Sequence, residues 1–264
     1  MEPNLERGVK GRDLALIPIT SADFTGLADA DLSPWFNPFL PHFVRETLRC
    51  GGSVRGVLEG EQWKALTLHD PAESITSVFS RVEALAEELV RNRGVTAAYS
   101  DFRLSGPSET YGVYTGTFVP PSIAHAFRHS VRLVATEDLP RVADLLREVQ
   151  GSVDDRWFEG VGSTPETGFL IEIGDRLAGV AWVAVVGRYA RLHSLAVRPK
   201  YRRLGLGTDL FFARLRWAER AGASLVLSEI ADRNGGSRAI AEAGGMRRAG
   251  ELFLYPAESG VPVS

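Results

Sequence analysis

The stretch that decides the fold covers residues 192–222 and reads LHSLAVRPKYRRLGLGTDLFFARLRWAERAG. Its first six residues are mostly apolar, as in a largely buried strand, and Pro199 cannot donate to a sheet ladder, so the strand ends there. From Leu206 onward apolar residues recur at helical spacing, and Gly222 is placed to end that helix. The stretch therefore predicts a strand, a tight basic glycine turn and an amphipathic helix.

The glycine turn, RRLGLG at residues 202–207, predicts a site for an anion. A turn that opens a helix presents unpaired backbone N–H groups and the positive end of the helix dipole, and two arginines make phosphate the expected anion. The P-loop string GxxxxGK[ST] does not occur. A Rossmann fingerprint would use Gly205, Gly207 and Glu229, but Leu210 stands at its third small position and too little chain follows.

Composition places the chain among globular proteins with well-formed cores. The sequence has 264 residues, 44% of them hydrophobic and 24% charged, with a formal net charge of -3. Acids and bases are mixed, so neither nucleic acid nor a membrane is the expected partner. Cys50 is the only cysteine, which excludes an internal disulfide. With no signal peptide or membrane-spanning run in the sequence, a cytoplasmic location is expected.

Pro120-Pro121 marks the expected linker between two α/β domains, an N-terminal one over residues 1–122 and a second over residues 123–264. The first has a predicted hairpin, then a strand, a helix and a strand, at residues 54–68, 74–80, 82–90 and 95–102. The second has a predicted strand, helix and hairpin, the opening stretch, and then strand, helix and strand, at residues 130–135, 139–149, 168–186, 189–222, 224–230, 237–243 and 251–255. The order of strands and helices in each domain predicts a mixed sheet.

The pattern R-x-x-G-x-G after a strand that ends in LAV resembles the acyl-CoA pyrophosphate loop of the GNAT N-acetyltransferases. The element order of residues 128–258 is similar to the GNAT fold, so the resemblance covers half of the chain. It implies that backbone N–H groups hold the pyrophosphate of acetyl-CoA, that the LAV edge pairs with the pantetheine arm, and that one N–H of this edge faces the thioester carbonyl. The residues so implied are Leu195, Ala196, Val197, Arg202 (shaping the turn), Arg203, Leu204, Gly205, Leu206, Gly207 and Thr208. No metal is implied.

Glu229 is the leading candidate for the general base. Residues 228–234, SEIADRN, resemble the E-V-x-x-x-N segment of the ribosomal-protein alanine N-acetyltransferase branch. In that branch the Glu is a general base and the Asn contacts the cofactor arm, which implies these roles for Glu229 and Asn234. The structural alternatives are a strand-end carboxylate for Glu229 and a helix cap for Asn234.

His193 is the second candidate base. The string LHSLAV resembles arylalkylamine N-acetyltransferases, in which paired histidines on this strand relay the proton. Arg191 stands at the partner position, and strand periodicity places residues 191, 193 and 195 on one face. Arg191 is therefore expected to keep His193 neutral or to bind an acidic substrate. A hydrogen-bonded sheet histidine is the structural alternative.

One departure from the GNAT pattern concerns the acid that protonates the leaving thiolate. Ala241 stands where these enzymes commonly place a tyrosine, and Tyr255 and Tyr201 are the candidate substitutes. Two functions are therefore predicted. The first is an N-acetyltransferase that moves acetyl from acetyl-CoA to a primary amine, on a small molecule or a protein, by direct attack in a ternary complex. The alternative is a non-catalytic acyl-CoA-binding sensor or scaffold module.

The first half has a similar element order, but residues 74–90, which would correspond to the pyrophosphate region, lack both glycines and the first arginine. It is interpreted either as a degenerate GNAT-like unit in a tandem pair, unable to hold the cofactor, or as an unrelated α/β substrate or lid domain. The aromatic residues Trp157, Phe158, Trp182 and Tyr189 are candidates for an acceptor pocket, with core packing as the alternative. No pattern in the sequence indicates the oligomeric state.

Overall fold

The fold was analysed in a computed structural model of the chain. The structure describes residues 16–20, 40–49, 51–60, 62–70, 75–80, 82–91, 97–100, 102–104, 108–117, 125–151, 166–186 and 188–256. Contacts divide the chain into two compact units, Met1–Thr110 with Leu252–Ser264, and Tyr111–Glu251. The expected linker at Pro120-Pro121 lies outside the described residues, and the domain boundary at residue 122 stays a prediction.

The first unit contains a mixed sheet with helices packed on it. Its elements are β1 (Ile17–Ile19), α1 (Leu40–Arg49), β2 (Ser53–Glu59), β3 (Gln62–Asp70), β4 (Ile75–Ser80), α2 (Glu83–Arg91) and β5 (Ala97–Ser100). The strands lie in sequence order, antiparallel except for the parallel pair β4–β5. The predicted hairpin is β2–β3, which turns at Gly60 with a φ of 63°.

The second unit contains a longer mixed sheet. Its elements are β6 (Glu109–Thr117), β7 (Arg132–Leu133), α3 (Leu139–Gln150), β8 (Glu166–Ile173), β9 (Arg176–Val186), β10 (Tyr189–Val197), α4 (Leu206–Arg220), β11 (Leu225–Ala231) and α5 (Gly235–Ala243), followed by β12 (Arg247–Pro256), which continues into the first unit. The strand order is β6-β11-β10-β9-β8-β7, and only β10–β11 is parallel. The mixed α/β fold predicted from the sequence is confirmed.

Helices α3 and α4 cover opposite faces of the second sheet. Leu145 and Leu146 of α3 pack with Leu170 and Trp182, whereas α4 packs its apolar stripe on the strand residues that alternate with these. Helix α3 ends at Gly151, whose φ of 87° is the left-handed conformation that favours glycine at a helix C-terminus. Each face of the sheet is therefore buried under one helix.

Two predicted elements differ in length from the observed ones. The strand predicted at residues 130–135 is reduced to the two-residue β7, because the chain turns into a 3₁₀ helix at Thr136–Asp138. The last strand starts earlier than predicted, at Arg247. None of the helices that the structure describes is long and apolar enough to cross a membrane.

Candidate active site

Strands β10 and β11 separate partway along their length. They pair in parallel only from Tyr189–Arg191 to Leu225–Leu227, although both strands continue for several residues. At the point of separation the Ser228 hydroxyl donates to the Leu192 carbonyl at 2.9 Å. Beyond it, no strand of the described chain pairs with this edge of β10. The edge therefore has free backbone groups that can receive an extended ligand as an added strand.

A β-bulge interrupts β10 just after this fork. The register with β9 shifts between the pairs His193–Trp182 and Ala196–Val180, and Ser194 has a φ of 49°. A positive φ is uncommon for a serine and marks local strain of the kind that is often found at functional sites. The bulge also moves Leu195 onto the face covered by α4, away from His193. The expected single face for residues 191, 193 and 195 is therefore wrong at Leu195, because a bulge breaks the two-residue period.

Arg214 of α4 holds the bulge from behind. Its side chain is 2% exposed, and its guanidinium donates to the carbonyls of Trp182 and His193, both at 3.2 Å, and of Leu210 at 3.3 Å. No carboxylate of the described chain contacts it. Burial lowers the pKa of Arg214 to about 9, so the group still carries its charge at neutral pH. A buried cation therefore ties the two strands together where their ladder is interrupted.

His193 is the middle member of a short polar series of side chains. Its Nε2 lies 2.7 Å from Oε2 of Glu166 on β8, and its Nδ1 lies 3.2 Å from the Ser194 hydroxyl. The imidazole is 11% exposed and the Glu166 side chain 15%, so the pair is largely removed from bulk water. A carboxylate on Nε2 fixes that nitrogen as the donor, which leaves the lone pair of a neutral imidazole on Nδ1. The structure thus aligns Glu166, His193 and Ser194 in series.

Glu229 pairs with Arg191 across the fork. The Arg191 Nε donates to both carboxylate oxygens of Glu229, at 3.0 and 3.3 Å, and the Glu229 side chain is 13% exposed. The pair joins β10 to β11 directly after their last backbone pair. Arg191 lies on the same strand face as His193, as expected from the two-residue period. Its ion pair, however, is made with Glu229 and not with His193.

The glycine turn has the geometry of an anion site. Arg202 Nε donates to the Val197 carbonyl at 3.2 Å and closes the turn, while Gly205 adopts a φ of 93°. The first helical hydrogen bond of α4 runs from the Asp209 N–H to the Gly205 carbonyl at 3.0 Å. The N–H groups of residues 206–208 precede that bond and have no acceptor within the helix. The turn therefore presents adjacent backbone donors to whatever lies in front of it.

Gly207 serves a different purpose from Gly205. A side chain at Gly207 would bring its Cβ to 3.0 Å from Cδ1 of Ile240 on α5. The absence of a side chain therefore lets α4 and α5 approach closely, whereas Gly205 is needed for its positive φ.

The other predicted site residues lie in different surroundings. Asn234 caps α5, since its Oδ1 accepts from the Ser237 N–H at 3.1 Å. Ala241 is 1% exposed and lies in the core under α4. Tyr255 belongs to the core of the first unit, where its hydroxyl accepts from the Leu104 N–H at 2.5 Å and donates to the Phe102 carbonyl at 3.2 Å. Tyr201 packs against the core of the second unit.

The aromatic residues considered for an acceptor pocket are not brought together among the described residues. Trp182 is fully buried in the core beneath α3. Tyr189 is half-buried at the start of β10, with the Arg188 guanidinium 5.4 Å from its ring centre. Trp157 and Phe158 lie outside the described residues. Within the described ranges, no group of three or more His, Cys, Asp or Glu side chains is arranged to hold a metal ion.

Sequence reasoning missed three residues of this site, namely Glu166, Ser194 and Arg214. Glu166 is 27 residues from His193 along the chain, and no spacing rule connects them. Arg214 left a signal, because it follows Leu210 by four residues and so stands on the apolar stripe of its helix, where a charge is unexpected. Ser194 gives no signal in the sequence other than its position next to His193.

Residues 134–245 match the family model described as Acetyltransferase (GNAT) family. A search of curated proteins gives no match. Among solved structures, a Drosophila protein is 16% identical with a TM-score of 0.66, and the alignment covers 93% of this chain and 99% of that one. A tandem GNAT protein from the clavulanic acid biosynthesis pathway is 18% identical, with a TM-score of 0.61 and coverage of 94% and 99%. A GCN5-related N-acetyltransferase from Sphaerobacter thermophilus is 15% identical, with a TM-score of 0.62 and coverage of 94% and 97%.

Residues 134–245 of this chain are therefore identified as a GNAT acetyltransferase domain. The GNAT fold predicted for residues 128–258 is confirmed. The similarity to the solved structures shows a shared fold, and it extends over both units. Its extent favours a tandem GNAT-like arrangement over an unrelated first domain.

Proposed function

We propose that the protein transfers an acetyl group from acetyl-CoA to a primary amine by direct attack within a ternary complex. The observation that carries the proposal is the position of the Glu166–His193–Ser194 series, at a bulge on the β10 edge that the fork leaves unpaired. A base beside a free strand edge is what acyl transfer to an amine requires. The acceptor is a small-molecule or protein amine.

The glycine turn is the proposed holder of the pyrophosphate. Three features support this assignment: the Gly205 backbone leaves no side chain in front of the turn, residues 206–208 present free N–H groups, and Arg202 and Arg203 supply positive charge. The edge formed by Leu195, Ala196 and Val197 would bind the pantetheine arm, and Asn234 would contact the arm through its amide NH₂, since its oxygen is used in capping α5. The residues present therefore fit acetyl-CoA, which supplies the activated acetyl group.

His193 is the proposed general base. With Glu166 on Nε2, the lone pair of Nδ1 accepts a proton from the substrate ammonium, either directly or through the Ser194 hydroxyl at 3.2 Å. The neutral amine then forms the C–N bond to the acetyl carbon as the C–S bond breaks and the CoA thiolate leaves. Glu166 then has the role of holding the imidazole in one tautomer and stabilising the imidazolium that forms. The positive φ of Ser194 turns its hydroxyl toward Nδ1 within the bulge.

Glu229 is the second candidate base. Both of its oxygens accept from Arg191, so taking a proton from the substrate requires this pair to rearrange. His193 requires only that the Ser194 hydroxyl relay the proton or turn aside, which is the reason we rank it first. We therefore propose that the Arg191–Glu229 pair maintains the fork between β10 and β11.

Negative charge that develops on the thioester oxygen is stabilised, in this proposal, by an N–H of the free β10 edge. The Arg214 cation behind the bulge contributes to the same field and fixes the strand in place. No residue is assigned to protonate the departing thiolate. Ala241 carries no acid, and the Tyr255 hydroxyl is hydrogen-bonded within the first unit. A thiolate is a tolerable leaving group, so transfer proceeds without this acid at a reduced rate.

The buried Ala241 is also the observation that favours the second candidate function, a non-catalytic acyl-CoA-binding module. Two measurements on the purified protein separate the candidates. Calorimetry with CoA tests binding, which both functions require, and release of CoA from acetyl-CoA with a panel of amines tests catalysis. Binding without amine-dependent CoA release would support the sensor, and absence of binding would overturn both.

The assignment of the base is tested with Glu166→Gln and Glu229→Gln in the same assay. Loss of the Glu166 carboxylate is expected to lower kcat about 10- to 100-fold and to change the pH profile of kcat/KM, because the imidazole loses its partner. Glu229→Gln is expected to have the smaller effect on kcat. The reverse order of the two variants would make Glu229 the base.

A further inference from the structure

A short segment ahead of the family match, residues 125–130, is fixed to the first turn of α4 by one buried carboxylate. Asp209 is 1% exposed, and its oxygens lie 2.7 Å from His125 Nε2 and 2.7 Å from His129 Nδ1. The same carboxylate accepts from the backbone N–H of His129 at 3.0 Å and of Arg128 at 3.2 Å. All four donors come from this segment, so Asp209 serves it as a clamp.

The clamp carries negative charge at neutral pH. Burial alone raises the pKa of Asp209, but hydrogen bonds from His125, His129 and the two backbone N–H groups outweigh it, so the net pKa lies below its ordinary value. Asp209 lies in the first turn of the helix that we assign to phosphate binding. Because these donors surround its carboxylate, its charge is compensated locally.

Two further contacts hold the segment on α4. The His125 ring stacks on Phe212, with ring centres 4.3 Å apart and planes inclined by 15°. Arg216 donates to the His125 carbonyl at 2.6 Å, and its guanidinium lies 4.4 Å from the ring centre of Phe127. The backbone of residues 125–129 is thereby fixed against the helix.

The Arg128 side chain extends from this fixed backbone over the glycine turn. A Cβ built on Gly205 would lie 3.6 Å from its Cδ and 3.8 Å from its Nη1. Arg128 is exposed, and its guanidinium has neither a hydrogen bond nor an ion pair with any side chain in the described ranges. A free guanidinium is thus held next to the proposed pyrophosphate loop by a backbone that is anchored to the helix.

We propose that Arg128 is a further cofactor-binding residue, whose guanidinium binds a phosphate group of acetyl-CoA, and that Asp209 with its two histidines positions it. The inference rests on the proposed function. Three arginines, Arg128, Arg202 and Arg203, surround one turn that also presents free N–H groups, and such a concentration of positive charge suits a polyanion. Residues 125–130 lie ahead of the family match at 134–245.

The pyrophosphate and the 3′-phosphate of CoA offer Arg128 the same chemistry, and dephospho-CoA, which lacks the 3′-phosphate, distinguishes them. Titration calorimetry with CoA on Arg128→Gln is expected to show affinity reduced about 10-fold or more. If the partner is the pyrophosphate, the variant also binds dephospho-CoA more weakly than the wild type does. If the partner is the 3′-phosphate, the affinity for dephospho-CoA is unchanged. Both results support the role of Arg128.

The matched control is Arg220→Gln, which removes the same charge from the other end of α4, about 20 Å away. It is expected to leave CoA affinity within about twofold of the wild type. Equal CoA affinities for the wild type and Arg128→Gln would overturn this inference while leaving the proposed function intact. A wild-type protein that does not bind CoA would overturn the proposed function itself.

The positioning role of the clamp is tested by a double-mutant cycle. Asp209→Asn is expected to weaken CoA binding, and the double variant with Arg128→Gln is expected to bind no more weakly than Arg128→Gln alone, because Asp209 acts through Arg128. His129→Gln provides the same test if the Asp209 variant does not fold. Additive losses in the cycle would overturn the positioning role, since a general structural effect adds to the loss of the guanidinium.

Discussion

The two units contain the same strand–helix–strand order but connect the first strand to the helix in different ways. In the first unit β4 ends at Ser80 and α2 starts at Glu83, and the Val82 N–H donates back to the Ser80 hydroxyl at 3.1 Å. In the second unit residues 198–205 separate β10 from α4 and include the left-handed Gly205. The short connection ties the Val82 N–H to a neighbouring side chain, whereas the long one places the N–H groups of residues 206–208 behind a left-handed glycine.

The parallel strand pairs differ as well. All four residues of β5 pair with β4, from Ile75–Ala97 to Val78–Ser100. In contrast, β10 pairs with β11 over three residues and then leaves a fork. Within the described residues β5 is therefore paired along its whole length, so the strand order by itself does not define an acyl-CoA site.

Acidic residues in the first helical turns complete the comparison. Glu83 at the start of α2 is exposed and repels an anion, whereas Asp209 of α4 is buried and surrounded by donors. The lesson is that a phosphate-binding turn depends on loop length, on a residue with positive φ and on the partners of nearby acids. The connection between β4 and α2 is shorter, and the described acid at the start of α2 is exposed.

The largest expected effect is that of His193→Ala, which should lower kcat/KM for amine acetylation about 10²- to 10⁴-fold through loss of the base. The matched control is His69→Ala in the first unit, since His69 also stands on a strand and contacts a hydroxyl, that of Thr76 at 3.1 Å. Activity near the wild-type value is expected there. Equal losses in the two variants would break the comparison, because catalysis would then depend on both units.

Arg214→Met should have the next largest effect, about a 10-fold decrease in kcat. The substitution keeps an unbranched apolar stem but removes the cation and the hydrogen bonds to the carbonyls of Trp182 and His193. Loss of those donors destabilises the fold by about 1 to 3 kcal/mol, partly offset by removal of a buried charge. Urea denaturation and steady-state kinetics measure the two effects. Unchanged kcat with reduced stability would restrict Arg214 to a structural role.

Gly205→Ala should lower CoA affinity about 10-fold, since a methyl group enters the front of the turn and its backbone must stay left-handed. Gly222→Ala, after the same helix and with a φ of 86°, matches the backbone strain of about 1 kcal/mol without touching the turn. Calorimetry should therefore show a lower CoA affinity for Gly205→Ala than for Gly222→Ala, although the two variants should unfold at similar temperatures. The comparison between the two connections would lose its basis if both variants bound CoA as the wild type does.

The smallest effect concerns acid stability. Arg132 contacts both oxygens of Asp138, at 2.6 and 2.8 Å, and this hydrogen bonding lowers the pKa of Asp138 to about 2. The resulting stabilisation is present above about pH 4, the unfolded value, and is lost as the pH falls toward 2.

Because Arg132 is 44% exposed and screened by water, we expect Asp138→Asn to remove only about 1 to 2 kcal/mol at pH 7. Urea denaturation at pH 7 and pH 3 should therefore show a smaller pH dependence in the variant than in the wild type. Parallel pH profiles would exclude this ion pair as a source of acid sensitivity. Glu59→Gln in the first unit is the control, because Glu59 is exposed and lies 3.7 Å from Lys64, and it is expected to change stability by less than about 1 kcal/mol.

Much of the fold and part of the site could be predicted from local sequence. The strand, glycine turn and helix of residues 192–222, the hairpins and the strand after α4 appear as predicted, because each depends on neighbours one helical turn or one strand step away. The bulge at Ser194 could not be predicted, since no residue of the strand signals a positive φ. The face assigned to Leu195 was wrong for the same reason.

The sequence by itself determined the glycine turn and the helix it opens, because steric preference, periodicity and the spacing of Gly205 and Gly207 are properties of a continuous stretch. Only the tertiary structure decided which groups meet at the site. Sheet register brings Glu166 to His193 from 27 residues away and Arg191 to Glu229 from 38, and helix packing buries Arg214 behind the bulge. Such partners are set by strand order and packing, which no local period encodes.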